Sequence, residues 1–413
     1  MASRVLGDSA LADRSFRFFW FGQTLSMVGD RLAGVALALY VSLELKDLTG
    51  LGLILGVQVA TLAGFLLIGG VWADRFDRRR LIIVTNLVCF VLHLLTAFLI
   101  ATGEAAIWNL MLIEAVFGLA EAIYRPAFSG LLPQTVREDK IRSAWGFAGA
   151  SESASLAFGP ALATALYFGV GAEWAFVGDA FTFLLSAASL AFVIPRARGA
   201  GREKAERLLD SVRAGWQEVR SRVWVWMTML AWSLLLMLSL APWFVLGPTV
   251  AREIYGTGSV YGIHEVFFGV GMISGAIVGT RAEFARPLRA GLIAMSPWPF
   301  QFILYGLGAP LPAVFGAALL AGAGVGVYSV QWESTLARLI PPEKLSRVSS
   351  WDWMGTTILM PIGYVMAGPL SAVIPARELV IASGVLGGAC ILLAAAPRTT
   401  RRLGSDEKPG TAK

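Results

Sequence analysis

Long apolar runs, separated by short breaks of charged residues, glycine or proline, cover almost the whole chain. A helix needs about 20 consecutive apolar residues to cross a bilayer, and these runs reach that length. They predict twelve spanning helices, at residues 16–43, 50–73, 80–102, 105–128, 144–169, 173–194, 223–250, 259–280, 287–308, 310–336, 348–372 and 376–396. The pattern therefore predicts an all-α polytopic membrane protein with twelve transmembrane helices.

One long polar segment separates the first six predicted spans from the last six. It carries eight Arg or Lys residues and, from Glu203 onward, a pattern compatible with a helix. We therefore predict an N-terminal six-helix bundle over 1–195, a cytoplasmic linker with a short helix over 196–222, a C-terminal six-helix bundle over 223–397 and a cytoplasmic tail over 398–413.

Positive charge is distributed unevenly between the loops. With the N-terminus inside, 29 of the 34 Lys and Arg residues fall in inside loops and tails, three fall in outside loops, and two fall within spans. Because cytoplasmic loops are enriched in Lys and Arg, this asymmetry predicts that both termini are cytoplasmic. We expect a multi-pass protein of the cell inner (cytoplasmic) membrane.

The two halves of the chain resemble each other. Pro160 in the fifth span and Pro369 in the eleventh each follow a glycine and lie 209 residues apart, and Lys140 and Lys344, which precede these spans, lie 204 apart. Parallel internal repeats are the sequence sign of a two-bundle transporter, here with two pseudo-symmetric bundles. The alternative is chance recurrence of Gly-Pro in a chain with 45 glycines.

Composition narrows the class of protein further. Hydrophobic residues make up 56% and charged residues 15% of the chain, against about 45–50% and about 25% in soluble proteins. A soluble enzyme, a disordered chain and a nucleic-acid-binding domain are therefore excluded. Cys89 and Cys390 lie within apolar runs, so we expect no disulfide framework, no thiolate metal site and no cofactor. The first run is too long and too polar for a signal peptide.

The loop between the second and third spans contains the most specific motif. It reads Gly70-Val-Trp-Ala-Asp74-Arg75-Phe-Asp-Arg78-Arg79-Arg. Arginines in such a loop enforce topology, but topology alone does not explain the Asp before the first Arg or the close-packing Gly four residues earlier. The pattern Gly-x-x-x-Asp-Arg-x-x-Arg-Arg resembles the signature loop of the major facilitator superfamily.

This resemblance implies two six-helix bundles that rock about a central cavity. It implies that Gly70, Asp74, Arg75, Arg78 and Arg79 form an inner-side latch: Asp74 would face the N-terminal dipole of the eleventh helix, and Arg75 and Arg79 would pair with carboxylates when the inside is shut. Within the fifth span, Gly159 and Pro160 resemble a motif associated with exporters.

Two further runs narrow the resemblance. The first span reads Trp20-Phe-Gly-Gln-Thr-Leu-Ser-Met-Val-Gly-Asp30-Arg, and the eleventh is preceded by Trp332-Glu333 and later by Arg347-Val-Ser-Ser-Trp-Asp352. Both runs resemble those of the drug-exporter branch of this superfamily, which contains macrolide efflux pumps and enterobactin-type siderophore exporters. The branch has an Arg where this chain has Glu114, and this departure argues against transferring the family's proton relay.

Ionisable residues within spans cost about 2.5–3.5 kcal/mol each, so they usually face a cavity or a partner. Glu114 lies about 13 Å from the outer end of the fourth span, near the midplane, and has no i,i+4 cation on its own helix. A desolvated carboxyl favours its protonated form. We therefore predict proton coupling by Glu114, assisted by Asp30 and by Glu265 near the outer end of the eighth span. Alternatively, Glu114 selects cationic substrates, and Asp30 pairs structurally with a basic group on another helix.

Other polar and aromatic residues have two interpretations each. Glu121 either faces the cavity or forms an i,i+4 ion pair with Arg125, and His93 is expected to be an interhelical hydrogen-bond partner. Candidate cavity-lining residues are Gln23, Met27, Gln58, Glu121, Trp232, Phe302, Tyr328 and Trp332. The alternative for the tryptophans is an interfacial belt. We expect Glu333, Arg347 and Asp352 to form charge pairs between the bundles.

The sequence therefore predicts a secondary active transporter, not an enzyme, that exports hydrophobic or amphipathic small molecules by proton antiport. No nucleotide-binding Gly-x-x-x-x-Gly-Lys-Ser/Thr loop is present, which argues against ATP drive. The expected partners are the lipid bilayer, a small-molecule substrate and protons, with no nucleic acid, and we expect a monomer. The alternatives are a dedicated exporter of one siderophore or natural product and, more remotely, a polytopic enzyme acting on lipids.

Overall fold

The computed structural model describes residues 9–196, 215–397, 400 and 403–404, apart from the side chains of Leu67, Asp74, Pro342, Glu343 and Ser346. These residues form twelve long helices and contain no β-strand. They belong to two compact units, Met1–Ala200 and Gly201–Lys413. The all-α class predicted from the apolar runs is confirmed, whereas most of the predicted linker and of the C-terminal tail lies outside the described residues.

The first unit contains six helices. They are α1 (Arg14–Tyr40, continued by a π-helical turn Val41–Leu45), α2 (Leu48–Arg75), α3 (Arg78–Thr102), α4 (Ile107–Leu131), α5 (Ile141–Gly169) and α6 (Ala172–Leu190). Short 3₁₀ turns cover Ala10–Ala12, Leu132–Thr135 and Glu138–Lys140.

The second unit repeats the number of long helices but breaks three of them. They are α7 (Val223–Leu235, a π-helical turn Leu236–Leu240, then Ala241–Tyr255), α8 (Ser259–Arg281), α9 (Pro287–Ala294 and Trp298–Leu307), α10 (Leu311–Leu339), α11 (Pro342–Thr357 and Met360–Ser371) and α12 (Ala376–Ala395). A short helix covers residues 215–220. Prolines follow or flank each break, because a proline cannot donate the backbone hydrogen bond that continues a helix.

Eight of the helices within the described residues are long and apolar enough to cross a membrane by length and composition. Of the other four, α9 and α11 are divided into shorter pieces, and α5 and α6 carry buried polar residues such as Ser151, Ser155 and Asp179. The twelve predicted spans therefore correspond to the twelve long helices, four of which are broken or carry buried polar side chains.

Close backbone contact between α2 and α4 organises the first unit. A Cβ at Gly69 would collide with the Ala122 carbonyl oxygen, and a Cβ at Gly118 would collide with the Gln58 carbonyl oxygen. Apolar side chains gain little by leaving lipid for another apolar helix, so association depends on close van der Waals packing, which small residues permit.

The same arrangement recurs between α8 and α10 in the second unit. A Cβ at Gly271 or Gly275 would collide with backbone carbonyls of α10, and a Cβ at Gly322 or Gly326 would collide with backbone carbonyls of α8. In each unit the second and fourth helices thus form the closest pair. This similarity within the two units agrees with the internal duplication inferred from the sequence repeats.

The short helix at 215–220 is tied to the beginning of α11. The Glu218 carboxylate accepts hydrogen bonds from Arg222 and, at 2.9 Å, from Lys344. Burial by itself would raise the pKa of Glu218, but the hydrogen bonds from Lys344 and Arg222 outweigh it and lower the pKa below its usual value.

This lowered pKa predicts pH-dependent stabilisation. A carboxyl with a lowered folded-state pKa stabilises the fold above its unfolded pKa and loses that contribution as pH falls through the folded value. We expect Glu218→Gln to lower the melting temperature at neutral pH by about 1–3 °C, because a partly exposed ion pair contributes at most about 1 kcal/mol to the free energy of unfolding. The difference from the native chain should shrink in thermal melts at acidic pH, and an equal difference at both pH values would contradict the assignment.

Candidate functional site

Buried polar side chains from four helices meet in the core of the first unit. Gln23 donates from Nε2 to Ser186 Oγ at 2.8 Å and accepts from the Tyr124 hydroxyl at 2.6 Å, while Asn86 donates to the same Ser186 at 2.9 Å. Gln23 is only 2% exposed. Gln23 therefore joins α1, α4 and α6. It also lines a small cavity, and its role in lining a substrate cavity stays a prediction.

A second polar layer contains a histidine and an aspartate. His93 Nδ1 and Asp179 Oδ2 lie 2.5 Å apart, and the side chains are 2% and 0% exposed. The other Asp179 oxygen accepts from Thr182 Oγ1 at 2.9 Å, and the imidazole stacks on Phe117 with ring centroids 5.1 Å apart. The interhelical hydrogen bond expected for His93 is thus present, between α3 and α6.

Asp30 lies beside this pair on α1. Its Oδ1 is buried without a hydrogen-bond partner among the described residues. Together with Ser26, Thr85, Asn86 and other residues, Asp30 lines a small cavity. The structural pairing with a basic group that was considered for Asp30 is not found among the described side chains, since no ion pair of Asp30 occurs there.

Glu114 lies in α4, 6% exposed, within electrostatic range of His93, Glu121 and Asp179. No hydrogen bond to its carboxyl occurs within the described part of the chain. By contrast, Glu121 pairs with Arg125, from Nη2 to Oε1 at 2.5 Å. The i,i+4 ion pair considered for Glu121 is therefore present, and Glu121 also lines the small cavity that contains Asp30, so its role towards a substrate stays a prediction. Glu114 has no ion-pair partner among the described residues.

Met27 and Gln58, two further cavity-lining candidates, lie on different helices. Met27 lines a small cavity with Gln23, Phe128 and Ser151. Gln58 is partly buried on α2, where its carbonyl oxygen packs against Gly118. Gln58 therefore lies at a close contact between α2 and α4. The roles of Met27 and Gln58 in lining a substrate cavity stay predictions.

The arginines of the signature loop bind helix ends within the first unit. Arg78 donates to the carbonyls of Ala73 and Gly130, each at 3.1 Å. Arg79 donates to the carbonyls of Leu190 and Ala191, at 2.8 and 2.5 Å. Carbonyls at a helix C-terminus carry partial negative charge, so these guanidiniums stabilise the ends of α4 and α6.

Other loop residues differ from the expectation or remain untested. Asp77, for which the sequence predicts no role, caps α3: its Oδ1 accepts a hydrogen bond from the Arg80 backbone amide at 2.8 Å. Arg75 is exposed, and the side chain of Asp74 lies outside the described residues. No described atom lies within 4 Å of a Cβ built on Gly70, so the close packing expected there occurs at Gly69 instead. The helix periodicity places Gly69, not Gly70, towards α4.

The Gly159-Pro160 pair lies where α5 meets α1. A Cβ at Gly159 would collide with the Cβ of Arg31 and lie 3.1 Å from the Val28 carbonyl oxygen. Gly159 therefore brings α5 against the part of α1 that carries Asp30. Its association with export is untested by this geometry.

Aromatic side chains form a stack in the second unit. Trp232 and Tyr328 are stacked with centroids 4.8 Å apart and a 12° interplanar angle, and Tyr328 continues onto Trp332 at 6.3 Å. Trp332 donates from Nε1 to Asp352 Oδ2 at 2.9 Å, while Asp352 Oδ1 is buried without a partner among the described residues. Three predicted cavity residues and one predicted charge are thus brought together.

Two residues expected to pair between bundles remain untested. Glu333 is exposed within its own unit, and Arg347 is partly buried on α11 and interacts there. We keep both as predictions, together with Asp352.

A separate aromatic cluster surrounds Glu265. Trp243 donates to Glu265 Oε1 at 2.8 Å, and His264 Nδ1 lies 3.3 Å from the same oxygen. Phe302 packs against Trp243 and is only 1% exposed. Phe302 is therefore a core residue of this unit, and its enclosed position does not support a role in lining a cavity.

The polar layers of the first unit had a sequence signal that composition alone did not reveal. Gln23 and Asp30 are seven residues apart, as are Asn86 and His93 on α3 and Asp179 and Ser186 on α6. A seven-residue spacing returns to one helix face two turns later, about 10 Å along the axis. Three apolar helices with this pattern indicate two stacked polar layers, although the pattern does not say which helices meet.

No group of three or more His, Cys, Asp or Glu side chains in the described ranges is arranged to hold a metal ion.

Comparison with known proteins agrees with this architecture. The family model of the Major Facilitator Superfamily matches residues 19–364. The chain is 23% identical over 383 residues to macrolide efflux protein A of Streptococcus pyogenes, covering 90% of this chain and 93% of that protein. It is 22% identical over 300 residues to macrolide efflux protein A of Enterococcus faecalis, covering 71% and 92%.

Among solved structures, a bacterial homologue of the human lysosomal transporter Spinster superposes with a TM-score of 0.69 at 14% identity, covering 94% of this chain and 98% of that one. At this identity the likeness concerns the fold alone. Since the family match covers most of the chain, the chain belongs to the major facilitator superfamily and is a multi-pass membrane transporter of small molecules, not an enzyme.

Proposed function

We propose that this transporter exports hydrophobic or amphipathic small molecules by alternating access, in exchange for inward-moving protons. The observation that carries the proposal is the similarity to efflux proteins along 90% of the chain. The proposed setting is the cell inner membrane, with a monomeric protein and both termini cytoplasmic, as the charge asymmetry of the loops predicts.

Buried carboxyls in the first unit support the proton part of this proposal. Glu114 and Asp30 lie in a membrane-embedded helix bundle, and neither has an ion-pair partner among the described residues. Such groups mark proton pathways in transporters. One proton moving down 100 mV yields about 2.3 kcal/mol, which supports roughly a 50-fold substrate gradient. Glu265 is the proposed third group, in the second unit.

The aromatic stack of the second unit supports an amphipathic substrate. Trp232 is only partly buried, so its ring offers a flat apolar surface next to Tyr328. Asp352 and Glu333 lie within electrostatic range of Tyr328 and place two carboxyl groups nearby. Aromatic faces and carboxylates together attract organic cations that carry ring systems.

The signature loop is proposed to control opening of the inner side. Asp74 would hold the two units together there, with Gly70, Arg75, Arg78 and Arg79 as the rest of the latch. In support, Arg78 and Arg79 already tie the ends of α2, α4 and α6 into one block, so that a contact at Asp74 would act on three helices together.

Transport by the purified protein in liposomes tests the proposal. The liposome interior is made acidic relative to the outside, so that protein molecules inserted with their cytoplasmic side outward can exchange internal protons for external substrate. We expect these liposomes to accumulate radiolabelled erythromycin about tenfold or more over protein-free liposomes, within the limit of about 50-fold that one proton supports. A protonophore should abolish the accumulation. Accumulation that is unaffected by the pH gradient would refute proton antiport, and no transport of erythromycin or of a cationic dye would refute the efflux assignment.

A further inference from the structure

We infer that Asp30, His93 and Asp179 act as one proton-binding cluster inside the first six-helix unit. In this cluster His93 and Asp179 are a permanent ion pair that positions Asp30, and Asp30 is the group that exchanges its proton. The inference deepens the proposed proton antiport by locating the proton, and it rests on that proposal for its role in transport.

The first step is the charge of the His93–Asp179 pair. Asp179 Oδ1 accepts a hydrogen bond from Thr182 at 2.9 Å, and Asp179 Oδ2 lies 2.5 Å from Nδ1 of the imidazole. Asp179 is fully buried, and an ionised carboxylate in that position is tolerated only with a close counter-charge. A doubly protonated imidazole supplies this charge and donates to the carboxylate.

The second step is the charge balance around Asp30. The groups that face it are Asp179 on α6, Glu121 on α4 and His93 on α3, with Arg31 following it on α1 and Cys89 and Tyr124 nearby. Glu121 is paired with Arg125, which also lies near Glu152 of α5. Arg31 is exposed.

With His93 balancing Asp179, a negative charge on Asp30 has no ion-pair partner of its own among the described residues. Glu114 adds to the imbalance because it also lies near His93. Protonation of Asp30 removes the repulsion from Asp179. Asp30, whose buried Oδ1 has no hydrogen-bond partner among the described residues, lines a cavity together with Ser26, Thr85 and Asn86, which are polar groups able to solvate an arriving proton.

The third step is the way in which Asp179 is held beside Asp30. The place of a Cβ on Gly29 is occupied by Asp179 Oδ1 and Thr182 Oγ1. Because Gly29 precedes Asp30, this contact brings the α6 carboxylate against the α1 backbone at that point. His93 then fixes the carboxylate from the side of α3. His93 and Asp179 are therefore positioning residues for Asp30.

The experiment uses the small number of histidines, which are only two in the whole chain. The variant His264→Asn leaves His93 as a single reporter for ¹⁵N-histidine NMR of the full-length protein. We expect doubly protonated imidazole signals from about pH 6 to about pH 8, where a free histidine loses its charge. Asp179→Asn should convert the signal to neutral imidazole, and Asp179→Glu should restore the charge.

Infrared difference spectra follow the carboxyl proton. A carboxylic-acid C=O band should grow as the pH falls, should be missing in Asp30→Asn, and should change its midpoint by at least about one pH unit in His93→Asn. The exposed Glu104→Gln is the control and should retain the band unchanged. A merely structural role of His93 would leave the midpoint of the Asp30 band unmoved in every variant that folds.

Two results would overturn the inference: a neutral His93 at about pH 6 in the His264→Asn protein, or an unchanged carboxyl band in Asp30→Asn. The first measurement needs no substitution in the cluster, so misfolding of a cluster variant does not remove the test. Neither measurement needs a substrate or a gradient. A charged cluster without proton-driven transport would refute the proposed antiport alone, whereas proton-driven transport with a neutral His93 would refute the inference alone.

Discussion

Gly326→Ala is expected to destabilise the second unit by about 1–3 kcal/mol, the usual cost of overpacking a well-packed core. The added Cβ would collide with the Met272 carbonyl oxygen and lie 2.6 Å from the Ala276 amide nitrogen. These are backbone atoms of α8, so they cannot move aside as a flexible side chain can. Relief requires separating α8 from α10, which form the closest helix pair of this unit.

Gly316 on the same helix provides a matched control. No described atom lies within 4 Å of a Cβ built on Gly316, and alanine is favoured over glycine in a helix by about 1 kcal/mol. Gly316→Ala should therefore leave the melting temperature unchanged or raise it. Thermal unfolding of both purified variants in one detergent measures the difference, and equal melting temperatures would disprove the glycine packing between α8 and α10.

Glu114→Gln is expected to reduce proton-driven transport at least about 100-fold, because an amide cannot carry a proton and the proposed coupling requires protonation of Glu114 as well as of Asp30. Exchange of substrate without a gradient should persist, since Gln keeps the shape of the 6% exposed side chain. If Glu114 instead selects charge, the variant should keep coupled transport of neutral substrates and lose cationic ones. Counterflow and gradient-driven uptake, measured on the same liposomes, separate these roles.

The exposed Glu104→Gln, just before α4, serves as the control for Glu114 and should transport normally. Full activity of Glu114→Gln on every substrate would make this carboxyl structural. The proton pathway would then run through Asp30 or Glu265. Asp30→Asn should show the loss expected for a proton carrier whether or not Glu114 also carries one, and its infrared band would identify Asp30 independently.

The His93–Asp179 pair illustrates which part of the site the sequence does not predict. The sequence predicts an interhelical partner for His93, but it does not identify Asp179 as that partner, because a span gives no indication of the helix that it faces. The two residues are 86 positions apart, and Gln23 and Ser186 are 163 apart. Spacing within one helix is a local property, whereas contacts between helices depend on how all six pack.

The sequence by itself determined the helix count, the approximate helix ends, the two halves and the membrane setting. Each follows from where the long apolar runs begin and end. In lipid such a run must satisfy its backbone hydrogen bonds internally and therefore forms a helix, so each segment can be predicted on its own. The Gly-x-x-x-Asp-Arg loop is also visible in the sequence, and it indicates the family before any contact is known.

Only the tertiary structure decided which side chains work together. It paired Glu121 with Arg125 and left Glu114 without an ion pair among the described residues. It enclosed Phe302 and Gln23 in the cores of their units, and placed Asp179 against Gly29. The physical reason is that lipid gives apolar helices little preference for one partner over another. Packing shape and interhelical hydrogen bonds therefore make the choice, and both arise only after distant segments meet.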